Sequence, residues 1–191
     1  MGSALSSSPP PGIVPLARLY FDIALWRRGP QDVPASAVVL SLTVVAYVVI
    51  SLLAIRAADF AIPVPANSPR QPGVLLIVAD VILIGVWYWL LLLWSGRRER
   101  WTQTLAAIFG CSAWLAPPSV LTSQLVLMAS GGGLQLLALI LTLVLLVWGM
   151  LINAHILRHA LERSLNACIF LVILQQVAEQ LLAIAMSGAA Q

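Results

Sequence analysis

Two carboxylates stand inside runs that are otherwise apolar, Asp80 and Glu179. An ionisable group at membrane depth is costly, faces the interior of a helix bundle and needs a partner. Gln175 lies four residues before Glu179 and shares its helix face, and Gln176 and Gln180 flank it. Two carboxyls at similar depth on different helices could share a proton and respond to protons or ions. The same groups could act as an interhelical clamp of acids and amides. The clamp is the simpler reading. Coupled transport ordinarily brings internal repeats or broken helices, and the two halves of this chain show no self-similarity.

A second constellation is "NAHILRHALER", where His155, His159 and Glu162 fall at i, i+4 and i+7 on one helix face. A metal site would use that spacing, but two histidines and one carboxylate fall short of a four-ligand zinc site, and the His-Glu-x-x-His arrangement is absent. The plainer expectation is a polar face at headgroup level, with no metal and no cofactor. Cys111 and Cys168 sit in apolar runs and read as buried free thiols. No nucleophile elbow, Walker loop or dinucleotide fingerprint occurs. "SGGG" at 130–133 reads as a turn. An intramembrane aspartyl protease would need two Asp in spans, and only Asp80 qualifies. The chain is expected not to be an enzyme.

The elements that hold these groups follow from composition. Hydrophobic residues make up 61% of the 191 and charged residues 9%, which leaves too little polar surface to clothe a soluble domain. The fold class expected is all-α, a polytopic membrane bundle of five transmembrane helices with an N-terminal amphipathic helix. Residues 1–12, rich in Ser and Pro, read as a disordered tail and not as a cleavable signal. Residues 13–32 carry apolar positions at helical period, broken by Arg18, Asp22, Arg27 and Arg28. They form a short helix that lies in the interface, or packs on the end of the bundle, and stops at Gly29-Pro30. The five-helix domain covers 37–187, with spans at about 37–55, 73–94, 104–128, 134–154 and 166–186, each long enough for the hydrocarbon layer. A proline-rich loop follows Ile55. The span at 104–128 contains Pro117-Pro118 and could be a kinked helix or a re-entrant element.

Arginine placement decides between those two. All ten basic residues are Arg. With five crossings, eight lie on the side of the N-terminus (Arg18, Arg27, Arg28, Arg97, Arg98, Arg100, Arg158, Arg163) and two on the other (Arg56, Arg70). With four crossings the ratio falls to six against four. The positive-inside rule therefore favours five, with a cytoplasmic N-terminus and a periplasmic C-terminus. The Arg-only usage with abundant Ala and Leu suggests GC-rich coding and hence a bacterial inner membrane. The arginines mark topology and headgroup contact, not a nucleic-acid surface.

The segments "RWTQTLAAIFG" at 100–110 and "WGMLINAHILRHALERSLNACIF" at 148–170, set in a five-span pattern over about residues 36–187, resemble the prokaryotic branch of the Yip family of multipass proteins. The Asp-Leu-x-Gly-Pro signature of its eukaryotic members is missing, so their GTPase partnership and vesicle-traffic roles do not carry over. The resemblance implies a non-enzymatic protein that organises membrane or other membrane proteins, and it assigns no residue a role.

The function expected is a membrane scaffold or assembly partner, in contact with the bilayer and with another membrane protein or a second copy of the chain. Its cytoplasmic interaction face would be Arg97, Arg98, Arg100, His155, Arg158, His159 and Arg163. The alternative is a small ion- or proton-coupled transporter or channel subunit using Asp80 and Glu179.

Overall fold

The regular structure is helical throughout, and five of the helices are long and apolar enough to cross a bilayer. The computed structural model describes residues 12–61, 73–129 and 131–188. The Ser/Pro-rich tail apart from Gly12, the proline-rich loop at 62–72 and Ser130 of the "SGGG" turn lie outside the described residues. The helices are α1 (Ile13–Ala24), α2 (Ala37–Ala61), α3 (Gly73–Trp94), α4 (Trp101–Met128), α5 (Gly133–Leu161) and α6 (Leu165–Gly188). α3 matches its expected span, and the other long helices continue past their apolar runs. α2 carries on through Arg56 to Ala61, beyond the boundary expected at Ile55, and α5 continues to Leu161 rather than Ala154. Hydropathy marks where hydrocarbon begins, whereas the helix ends where the backbone finds a stop.

The doubtful third span is one unbroken helix of 28 residues, about 42 Å at helical rise and longer than the ~30 Å hydrocarbon layer. Pro117 and Pro118 lie within it. Each proline removes a donor from the helical ladder. Hydroxyl side chains just beyond take up carbonyls of the same stretch. Ser119 donates to the Leu115 carbonyl at 2.9 Å and Ser123 to that of Val120 at 2.9 Å.

α4 is the hub. From Thr104 to Cys111 every residue is buried, enclosed by α1, α2 and α5. Ala106, Ala107, Gly110 and Cys111 are small, and small residues let neighbouring backbones come close. The outward faces of the other long helices are apolar, with Leu53, Ile82, Leu143 and Leu181 exposed where lipid would cover them. α3 runs antiparallel to α2, since Tyr47 meets Asp80 and Ile55 meets Gly73, and α4 packs directly on α2 and runs parallel to it.

The N-terminal helix packs on the bundle. α1 ends at Ala24, earlier than the expected Gly29-Pro30 stop, because Trp26 takes a left-handed conformation (φ 61°). The chain then makes a 3-10 turn at Pro30–Asp32, where the Gly29 N–H donates to the Asp32 carboxylate at 3.1 Å. Leu16, Leu19, Tyr20 and Ile23 are buried beneath it. As α4 advances from Gln103 to Trp114 its partners retreat from Val33 to Ala17, so the segment runs antiparallel along the first half of α4. The Tyr20 ring lies flat over Gly110, and a Cβ there would overlap it.

Gly110→Ala should therefore loosen α1 from α4 and destabilise the protein by about 1–3 kcal/mol. Thermal melts in detergent check this. In a Tyr20→Ala background the same change should cost little further, since the clash is gone.

Candidate functional site

Two clusters of polar groups lie at different heights in the bundle. The inner one contains Asp80 on α3. The sequence pairs it with α6, but its hydrogen bond is to α2, where the Tyr47 hydroxyl donates to Oδ2 at 2.6 Å. Ser51 lies one turn further along α2, on the same face as Tyr47. The Tyr47 ring also rests on Phe109 of α4, with centroids 5.3 Å apart. On α6, Gln175 Nε2 donates to Glu179 Oε1 at 2.9 Å, and Gln176 donates to Oε2. Asp80 and Glu179 lie near enough for their charges to interact. Gln180 is exposed, about 100° round the helix from Glu179, and stands outside the cluster. The interhelical bond of this site is thus Tyr47–Asp80, and the amides bond within their own helix.

Tyr47 and Ser51 escaped the sequence reading. The signal was present, because Thr43, Tyr47 and Ser51 recur at i, i+4 and i+8 and give the first span one polar stripe. Two further buried polar atoms, the Gln175 Oε1 and the Tyr88 hydroxyl, have no hydrogen-bond partner.

The outer cluster gathers the arginines. The turn between α3 and α4 carries Arg97, Arg98 and Arg100, and the turn between α5 and α6 carries Glu162 and Arg163. Glu162 caps α5 in the left-handed conformation (φ 53°). Arg97 grips both its carboxylate oxygens, and Arg100 lies 3.0 Å from one of them. Arg100 also donates to the His159 carbonyl at 3.2 Å. Two turns far apart in sequence are thereby tied together. Glu162 pairs with these arginines and does not complete a ligand set with the two histidines. Among the described residues no three His, Cys, Asp or Glu side chains come together as ligands. The two cysteines are buried and free.

His155, expected on the interaction face, points inward. It is 7% exposed, its ring stacks on Trp26 at 5.0 Å, and its Nε2 lies 3.2 Å from the Arg28 carbonyl. The strap after α1 covers it. His159 touches its edge and stays partly exposed, while Arg98, Arg158 and Arg163 are exposed.

The inner and outer clusters make separate demands. Replacing Tyr47 by Phe and Asp80 by Asn, singly and together, should give a coupling near 0.6 kcal/mol and below about 1.7 kcal/mol, the scale of hydrogen bonds inside membrane proteins. Unfolding in mixed micelles measures it, and a coupling of zero would mean the bond contributes nothing. At the outer cluster, the hydrogen bonds from Arg97 hold Glu162 below the ordinary carboxylate range, with Arg100 adding to them. A depressed carboxyl contributes stability above its unfolded titration and loses it as pH falls through the folded one. The melting temperatures of wild type and Glu162→Gln should differ at neutral pH and converge in acid. The difference should also shrink with salt, since the pair is exposed.

A search of protein-family models, curated proteins and solved structures returned no match to this chain.

Proposed function

We propose that this multipass helical protein is a non-enzymatic scaffold, assembly or membrane-organising partner. The observation that carries the reading is where charge is left open. Inside the spans both carboxyls have donors within the chain. At one end of the bundle, Arg98, Arg158, His159 and Arg163 crowd two tethered turns and leave cationic side chains facing outward. A surface of that kind suits a protein or lipid partner. The distribution of arginines supports placing this end in the cytoplasm of a bacterium, with the C-terminus across the inner membrane. The likeness to prokaryotic Yip proteins points the same way, to a role in organisation and association with a membrane protein or a second copy.

A second reading draws support from the inner cluster. Asp80 and Glu179 approach one another beside two buried polar atoms that lack partners, Gln175 Oε1 and the Tyr88 hydroxyl. A small proton- or ion-coupled transporter would use such a site.

Purified protein in sealed liposomes separates the two. The scaffold should pass no protons beyond the leak of empty vesicles. In native membranes, Arg97→Ala with Arg98→Ala should lose crosslinked partners or oligomers that Asp80→Asn retains. Proton flux that Asp80→Asn or Glu179→Gln abolishes would establish the transporter instead.

A further inference from the structure

A recess of about 690 Å³ opens between the start of α4, the end of α5 and the turn that follows it. Arg100, Arg158, His159 and Arg163 line it, with one carboxylate, Glu162, on the same wall. That carboxylate already has partners, for Arg97 and Arg100 both pair with it. Arg158 and Arg163 form no ion pair among the described residues, where Glu162 pairs with Arg97 and Arg100. The recess therefore holds three arginines against one engaged acid, and two guanidinium groups have open donors.

The position of the recess narrows the anion. It lies at the last turn of α5 and the first turn of α4, where two membrane-length helices end and lipid phosphates would lie. Its size falls within the range of small-molecule sites, roughly 300–1,000 Å³, and admits a group larger than a bare ion. Guanidinium forks match phosphate oxygens two at a time, and basic pockets between transmembrane helices suit lipid headgroups. We infer that this recess binds a phosphoryl group through Arg158 and Arg163, with His159 beside them and Arg100 steadied by Glu162. Two sources share that chemistry, the headgroup of an anionic phospholipid and a soluble phosphate. The inference rests on the reading of this end as the interaction face, and it concerns binding by the purified chain, so either can fail alone.

The full-length protein is placed in nanodiscs of phosphatidylcholine, alone or with phosphatidylglycerol. Native mass spectrometry counts the lipid retained, and thermal melts record stabilisation. A parallel arm titrates inorganic phosphate into the phosphatidylcholine discs. Saturable retention of phosphatidylglycerol identifies a headgroup site, and saturable stabilisation by phosphate identifies a soluble ligand. Either should weaken by roughly tenfold or more in Arg158→Gln with Arg163→Gln, which removes charge-assisted hydrogen bonds. Arg18→Gln with Arg27→Gln removes the same charge outside the recess and should leave binding unchanged. If neither anion saturates, or both double variants weaken binding equally, the site does not exist and the attraction is diffuse. Should the recess variant fail to fold, a photoactivatable anionic phospholipid on the unaltered protein decides. Labelling of residues 158–163 supports the site and labelling confined elsewhere overturns it.

Discussion

A backbone carbonyl that leaves water needs a donor, and α1 with the strap that follows it lays a row of carbonyls, part-buried or at the bundle's edge, against α4 and α5. The donors come from side chains of α4 and α5. Trp114 Nε1 reaches the Ala17 carbonyl at 3.1 Å, Trp148 Nε1 reaches that of Ala24 at 3.0 Å, and the Gln103 amide serves Gln31 at 3.0 Å and Val33 at 2.6 Å. His155 faces the Arg28 carbonyl. These bonds turn an irregular strap into a fixed part of the core. They also demand close approach, which Gly110 permits by leaving room for the Tyr20 ring. Without α1 the small-residue face of α4 would be open, and without the strap His155 would be uncovered and the arginine-lined recess would lose the wall that Pro30 and Gln31 supply.

The molecule is consequently uneven along its length. At the strap end α1, the first half of α4 and the last turns of α5 enclose one another, and Ile152, Ala154, Ile156, Leu157 and Ala160 are buried with Ile108 and Phe109. Toward the other end the helices present broad apolar faces, such as Leu134, Leu137 and Ile140 on α5. Packing of the first kind resists water, and faces of the second kind need lipid. The polar residues follow the same division. Tyr47 and Asp80 join helices where water is scarce, whereas Arg97 and Glu162 join turns where it is plentiful.

Much of this was legible in the sequence, and the reasons differ by feature. The five long helices follow from apolar run length alone, because no other backbone satisfies its own hydrogen bonds in hydrocarbon. Asp80 and Glu179 stood out as acids inside such runs. Tyr47 did not, since a phenol in an apolar stretch reads equally as packing. Its hydroxyl matters only because α3 brings a carboxylate 33 positions away within reach. The direction in which His155 points was also hidden. Periodicity sets which residues share a face, but not what covers it, and the cover here is Trp26 in a left-handed conformation that no local rule for tryptophan anticipates. Pro117-Pro118 suggested a break. Pattern alone could not foresee that the helix would continue through both prolines, with hydroxyls at Ser119 and Ser123 taking nearby carbonyls and the first half of α4 enclosed.

The tie between the two turns is weak as a source of stability and strong as a constraint. An exposed pair contributes little net free energy, because water and salt compete for both partners. The cohesion of this end instead comes from buried apolar side chains and from the strap's bonded carbonyls. What Arg97 and Arg100 accomplish is positional. By holding Glu162 they draw the carboxylate that lines the recess toward the α3–α4 turn, and the left-handed backbone at Glu162 aims it there. Arg158 and Arg163, on either side in sequence, have no counter-ion among the described residues. One carboxylate cannot neutralise four guanidinium groups, so where it binds decides which of them stay unpaired. Here it is bound to two and thereby keeps two available, so the charge that this end presents outward follows from how one glutamate is anchored.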